Sequence, residues 1–241
     1  MKGVILDFDT IGPDDLDTSA LLSLPISWQI YGNTSFNEVN ERIRYADVVL
    51  TNKVELSNEN IKQAANLKLI GLFATGTNII DLEAASDKNI CVSNAVAYCT
   101  DSVVQHVWAL ILALTTRIFD YSQAATDGRW ERSNSFCVMD YSVKELAGKT
   151  LGVVGAGELG RAVASVGLAF GMNVKYALFP ERHSFSHNNR LEFKALLQQS
   201  DIVTLHCPLT KDNVNLIDKK ELKLMKSTCL LYTSPSPRDR I

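Results

Sequence analysis

The chain has 241 residues, 46% of them hydrophobic, which is enough apolar material for one large core or two modest ones. Its 24 basic and 27 acidic side chains leave a net charge of −3, without the basic field that would bring nucleic acid as a partner. Five cysteines, an odd number in no tight cluster, fit reduced thiols, and no His, Cys and carboxylate grouping has the spacing of metal ligands.

The N-terminal run MKGVILDFD carries acids where a signal peptide needs an uncharged apolar core, which points to the cytoplasm. From residue 3 to about 94, short β-branched runs (GVILDFD, SWQIYG, ADVVLTN, LKLIGLFA, ICVSN) alternate with helical patterns such as NEVNERIRYA and SNENIKQAAN. That alternation predicts an α/β fold with a doubly wound parallel sheet. Cys91 and Cys99 read as small core residues.

A long helix is expected to start at Thr100 or Asp101 and to run through SVVQHVWALILALTTRIF, covered on every side because it is apolar almost all round. Its longest apolar stretch, 107–114, is too short to span a bilayer, so no membrane partner is expected. His106 on this helix reads as a packed or interface histidine, while His183 and His187 fall in a polar loop. After the polar stretch DGRWERSNSF a second alternating series begins: strand TLGVVG, a helix, strand VKYALF, a charged loop, helix EFKALLQQ, strand DIVTLH, helix KKELKLM and finally STCLL. It predicts the first part of a Rossmann domain. The last ten residues, YTSPSPRDRI, bring two prolines and a polar tail that cannot continue a buried strand. The boundaries read from this pattern are 1–99 for a first domain, 100–231 for an incomplete Rossmann domain, and 232–241 for a tail that looks foreign to both.

Between strand and helix of the second series stands LGVVGAGELGRAV, with Gly155, Gly157 and Gly160 in the G-x-G-x-x-G spacing. The first glycine allows the tight turn, the second lets the backbone approach a pyrophosphate, and the third lets the helix pack close. Free N–H groups at the helix N-terminus, around Glu158 and Leu159, then face the negative charge. The expected ligand is a dinucleotide.

Three stretches carry a family resemblance: LIGLFATGTNIIDLEAASDKNICVSNAVAYCTDSVVQHVWALIL, DGRWERSNSFCVMDYSVKELAGKTLGVVGAGELGRAV and SDIVTLHCPLTKDNVNLIDKKELKLMK. Over residues 1 to 231 the sequence resembles the D-isomer-specific 2-hydroxyacid dehydrogenases, and its GRW…FC and GELGRAV phrasing is nearest the glycerate dehydrogenase, or hydroxypyruvate reductase, branch. The resemblance implies a flavodoxin-like substrate domain, a Rossmann domain, and hydride transfer between a nicotinamide cofactor and a small 2-oxo acid in a cleft between them. It implies that the backbone of Thr75 and Gly76 holds the substrate carboxylate and that Val103 lies near the nicotinamide. It further implies that His206, Cys207 and Pro208 line the cofactor and that the long helix helps to form a homodimer.

Two departures stand out. The acid that reads the ribose hydroxyls is replaced by Leu178, with Glu181, Arg182 and His183 nearby, so NAD is the favoured cofactor and NADP the alternative. The arginine, glutamate and histidine that the resemblance implies for carbonyl binding and proton transfer find no match in the 241 residues; Arg238 follows Ser-Pro-Ser-Pro rather than a strand. The polypeptide as given is therefore expected to be poorly stable and inactive, and a non-catalytic NAD(H)-sensing module is the alternative function. A rival from another class is the D-x-D-G-T loop of haloacid-dehalogenase-like phosphatases, with Asp7 as nucleophile and Asp9 as acid, although Thr10 and Ile11 break its pattern.

Overall fold

In a computed structural model, which describes residues 1–178, 189–210 and 213–233, the backbone divides into two units, Met1–Tyr98 and Cys99–Ile241. The first unit runs β1 (Lys2–Ile5), α1 (Ser19–Leu22), β2 (Ser27–Ile30), α2 (Val39–Ile43), β3 (Val48–Thr51), α3 (Asn58–Gln63), β4 (Leu69–Leu72), α4 (Leu82–Asp87) and β5 (Cys91–Asn94). Its sheet is all parallel in the order β2-β1-β3-β4-β5, the flavodoxin-like winding. Every residue of β3 is buried, because helices cover both faces of the sheet and a central parallel strand then has no wet side. Ser57 and Asp81 cap α3 and α4 through their side chains, accepting from Asn60 and Ala84 N–H. Lys88 closes α3 at its other end, donating from Nζ to the carbonyls of Ile61, Lys62 and Ala64 at 3.0–3.1 Å.

The second unit runs α5 (Thr100–Thr116), α6 (Ile118–Thr126), β6 (Thr150–Val154), α7 (Glu158–Ala169), β7 (Asn173–Leu178), β8 (Arg190–Glu192), α8 (Phe193–Gln199), β9 (Ile202–Leu205), α9 (Lys219–Leu224) and β10 (Leu230–Thr233). The sheet order is β10-β9-β6-β7-β8, all parallel, so the winding reverses between β6 and β9. Residues of α5 and α7 pack on one face around Trp108, Leu151 and Val163, and α8 and α9 pack on the other around Leu196, Leu197 and Val203. Both sheets are thus covered on two sides, as the alternating pattern requires.

Five expectations need correction. The single helix to residue 119 is two helices bent by 62°: Arg117 takes a left-handed conformation (φ 57°) and ends α5, after Thr115 and Thr116 turn their hydroxyls back onto the carbonyls of Ile111 and Leu112. Nor is α5 covered on every side within the chain, because only Val107, Trp108, Ile111 and Thr115 are buried while Leu114 is 58% exposed. Among the described residues no single helix is long and apolar enough to cross a membrane. The charged loop before α8 ends in a short strand, β8, which the polar Arg190 and Glu192 disguise. The last strand does not stop at residue 231: Tyr232 and Thr233 pair with Thr204 and Leu205 of β9, and Tyr232 is buried, since both residues favour strands and the prolines come later. Cys91 is exposed and Cys99 half-buried, so neither is a core residue; Cys91 opens β5, an edge strand. Residues 179–188, with Glu181, Arg182, His183 and His187, and residues 234–241, with Arg238, lie outside the described residues.

Candidate functional site

The C-terminal edge of the second sheet is where an open α/β fold binds its ligands, and the glycine turn stands at the point of reversal. Gly155 leaves β6 with φ +105°, and a Cβ there would lie 2.6 Å from the carbonyl carbon of His206 and 2.7 Å from Cys207 N. Only glycine permits both the dihedral and the approach. At Gly160 an added Cβ would fall on the Gly155 carbonyl oxygen, so the first turn of α7 can pack this tightly only without one. Gly157, the N-cap of α7, has no atom within 4 Å of an added Cβ, and no side chain caps the helix. The free N–H groups of this first turn, with the positive end of the helix dipole, therefore face open space.

The neighbouring side chains organise the same edge. Glu158 and Leu159 begin α7; Glu158 Oε1 accepts the Thr100 hydroxyl at 2.6 Å, and Leu159 is half-buried. Arg161 Nη1 donates to the Ala156 carbonyl at 3.0 Å, fixing a cation on the turn. His206 N–H donates to the Val154 carbonyl at 2.7 Å, and its Nε2 lies 2.8 Å from Thr204 Oγ1. Burial lowers the pKa of His206 to about 4, so the imidazole is neutral at pH 7, whereas burial raises that of the Cys207 thiol. Asn213 holds the turn after β9, donating to the Pro208 carbonyl at 2.7 Å and accepting from Thr210 N–H at 2.7 Å. Val103 is half-buried on α5 and packs on the core around Trp108.

Thr75 and Gly76 belong to the first unit, on the exposed loop after β4. Asn94 Nδ2 donates to the Thr75 carbonyl at 2.7 Å and Thr75 Oγ1 donates to Ala95 O at 2.9 Å, which ties this loop to the end of β5. Among the described residues no acceptor meets the Thr75 or Gly76 N–H. The sequence reading missed Asn94 and Asn213, whose role is to brace turns; an asparagine at the end of β5 and another in the polar turn after β9 were the only signal. Structure also removes the phosphatase rival. The Asp7 carboxylate, 1% exposed, accepts Asn52 N–H at 2.9 and 3.1 Å and Lys53 N–H at 2.6 Å, so both its oxygens are taken up in bracing the loop after β3 rather than free to attack a phosphate.

The family model for the NAD binding domain of D-isomer specific 2-hydroxyacid dehydrogenases matches residues 108–233. The chain belongs to this family. Within it, the chain is 36% identical over 235 residues to a glycerate dehydrogenase of Methylorubrum extorquens, covering 97% of this chain and 72% of that one. It is 34% identical over 239 residues to a hydroxypyruvate reductase of Blautia hydrogenotrophica, covering 97% and 74%. Among solved structures it is similar to the D-lactate dehydrogenase of Aquifex aeolicus complexed with NAD and lactic acid, with 28% identity and a TM-score of 0.78 over 97% of this chain and 68% of that one. The turn at Gly155–Gly160 is thus part of a NAD binding domain of the 2-hydroxyacid dehydrogenase family.

Proposed function

We propose that this 2-hydroxyacid dehydrogenase family member binds NAD(P)H through the Gly155–Gly160 turn and acts in the interconversion of hydroxypyruvate and D-glycerate. The observation that carries the reading is the uncapped first turn of α7 with open space over Gly157, the arrangement a diphosphate needs. The names of the two relatives above support the substrate. When bound, the reduced nicotinamide supplies the hydride to carbon 2 of the oxo acid.

In this reading the amides around Glu158 and Leu159 hold the diphosphate, and His206, Cys207 and Pro208 form a wall of the coenzyme site. The neutral His206 adds no charge to that wall. Val103 offers an apolar surface to the nicotinamide. The unpaired N–H groups of Thr75 and Gly76 hold the substrate carboxylate by charge-assisted hydrogen bonds, with Asn94 as the brace that aims them. A homodimer through α5 and α6 completes the proposal, supported by the apolar side chains these helices leave exposed.

Nicotinamide fluorescence during titration with NADH and with NADPH tests the first step, and a saturable change is expected; its absence with both coenzymes in folded protein would refute the reading. Hydroxypyruvate should then strengthen NADH binding at lower concentration than pyruvate or 3-phosphohydroxypyruvate, and the reverse order would reassign the substrate.

A further inference from the structure

The Gly155–Gly160 turn and the turn after β9 are two of the surfaces at this sheet edge; the end of β7 is a third. Tyr176 packs toward α7 while Ala177 packs toward α8, so alternation turns Leu178 to the α7 face, where the ribose-reading carboxylate of a NAD site would stand. Leucine neither accepts from ribose hydroxyls nor repels a phosphate on the ribose.

Two arginines stand on this face of the sheet. Arg190 of β8 pairs in register with Tyr176, and Arg161 projects from the first turn of α7 with Nη1 on the Ala156 carbonyl at 3.0 Å. Burial raises the pKa of the Tyr176 phenol, and the charges of Arg161 and Arg190 act against it, which puts both cations within electrostatic reach of one ring. Arg190 Nε is buried and, among the described residues, has no acceptor; neither arginine is in an ion pair there. A buried donor of this kind costs stability unless something accepts from it. Two carboxylates stand near. Glu158 is occupied by the Thr100 hydroxyl, and Glu192 lies in register with Leu178 at the exposed end of β8.

We propose that Arg161 and Arg190, beside Tyr176, form a clamp for the 2′-phosphate of NADPH, so that this chain prefers NADPH to NADH. The proposal rests on the reading that the Gly155–Gly160 turn holds a dinucleotide. A phosphate monoester presents three acceptor oxygens and close to two negative charges, which matches two planar guanidinium groups that, among the described residues, are paired with no carboxylate.

The test is a pair of fluorescence titrations of the 241-residue protein with NADPH and NADH at fixed ionic strength, repeated on Arg161→Gln, Arg190→Gln and Glu192→Gln. NADPH is expected to bind about tenfold tighter, and each arginine variant to lower the NADPH-to-NADH affinity ratio by at least about threefold. In the unaltered protein 2′,5′-ADP should displace NADPH at lower concentration than 5′-ADP, a readout that stands even if Arg190→Gln does not fold. NADH binding as tightly as NADPH, or a ratio that the folded arginine variants leave unmoved, overturns the clamp while leaving the dinucleotide site intact. A preference for NADH that Glu192→Gln abolishes also overturns it, by making Glu192 the ribose reader. Binding of neither coenzyme removes the dinucleotide reading itself, and the clamp with it.

Discussion

Gly155 and Gly157 stand two residues apart in one motif, yet the physics asks different things of them. At Gly155 a methyl group meets backbone of the β9 turn at 2.6 Å with φ at +105°, so Gly155→Ala should cost about 2–4 kcal/mol in urea unfolding. Gly157 has φ −71° and no atom within 4 Å of an added Cβ, so Gly157→Ala should cost about 1 kcal/mol or less while weakening NADH binding at least about tenfold. Equal stability losses in the two variants would remove the distinction between a folding glycine and a binding glycine. His206 allows a second prediction. Burial holds its pKa at about 4 in the fold against the ordinary 6.5, so the unfolded chain takes up the proton first. Its contribution is complete above pH 6.5 and is lost as pH falls toward 4; discounted for partial exposure it is on the order of 1–2 kcal/mol. His206→Asn should flatten the pH dependence of stability in that window, and an unchanged slope would contradict the assignment. The glycine spacing was legible in the sequence because each glycine answers a local steric demand. Asn94 and Asn213 were not, since a bracing asparagine acts across residues that only folding brings together.

Helix α5 packs on α7 through one buried polar contact: Trp108 Nε1 donates to the Val163 carbonyl at 3.1 Å, with its ring against Gly167. Trp108→Phe keeps most of the apolar surface and removes the donor, leaving the Val163 carbonyl only its bond within the helix. The expected loss is about 1–2 kcal/mol, against about 3–5 kcal/mol for Trp108→Ala, both measured by denaturant midpoint. A Phe variant as damaging as Ala would mean that ring size alone sets the helix position. The parallel strands could be read from runs such as VVLT and TLGVV because burial on both faces leaves no polar alternation. The short strand β8 escaped for the opposite reason: at three residues on a sheet edge, with Arg190 and Glu192 outward in character, it has no apolar run to betray it. The break at Arg117 escaped too, because Thr-Thr-Arg contains no glycine or proline; the hydroxyl back-bonding and the Arg117–Asp120 pair at 2.7 Å appear only in three dimensions.

At the scale of the molecule, the alternating patterns were enough to foresee two parallel sheets, because each β-α repeat must cross over with one hand and bury its strand. They could not say which apolar side chains stay uncovered by the chain itself. Leu114, Ile118 and Phe119, across the bend between α5 and α6, are 58%, 56% and 73% exposed, and such a cluster on a surface marks an interaction site. The three side chains come from consecutive elements, the last turn of α5 and the first residues of α6, on either side of a 62° bend. The proposed homodimer would seat a second copy of the chain here. A stable homodimer buries upward of about 1,000 Å², more than these three residues provide, so the interface must extend along the exposed face of α5 that includes Ala109. Sedimentation at micromolar concentration should give the dimer mass, and Leu114→Glu with Phe119→Glu should give the monomer with unchanged helix content, since both side chains lie outside the buried core. A monomer before substitution would leave these helices to another partner, and a dimer that survives the double charge would move the interface off this bend.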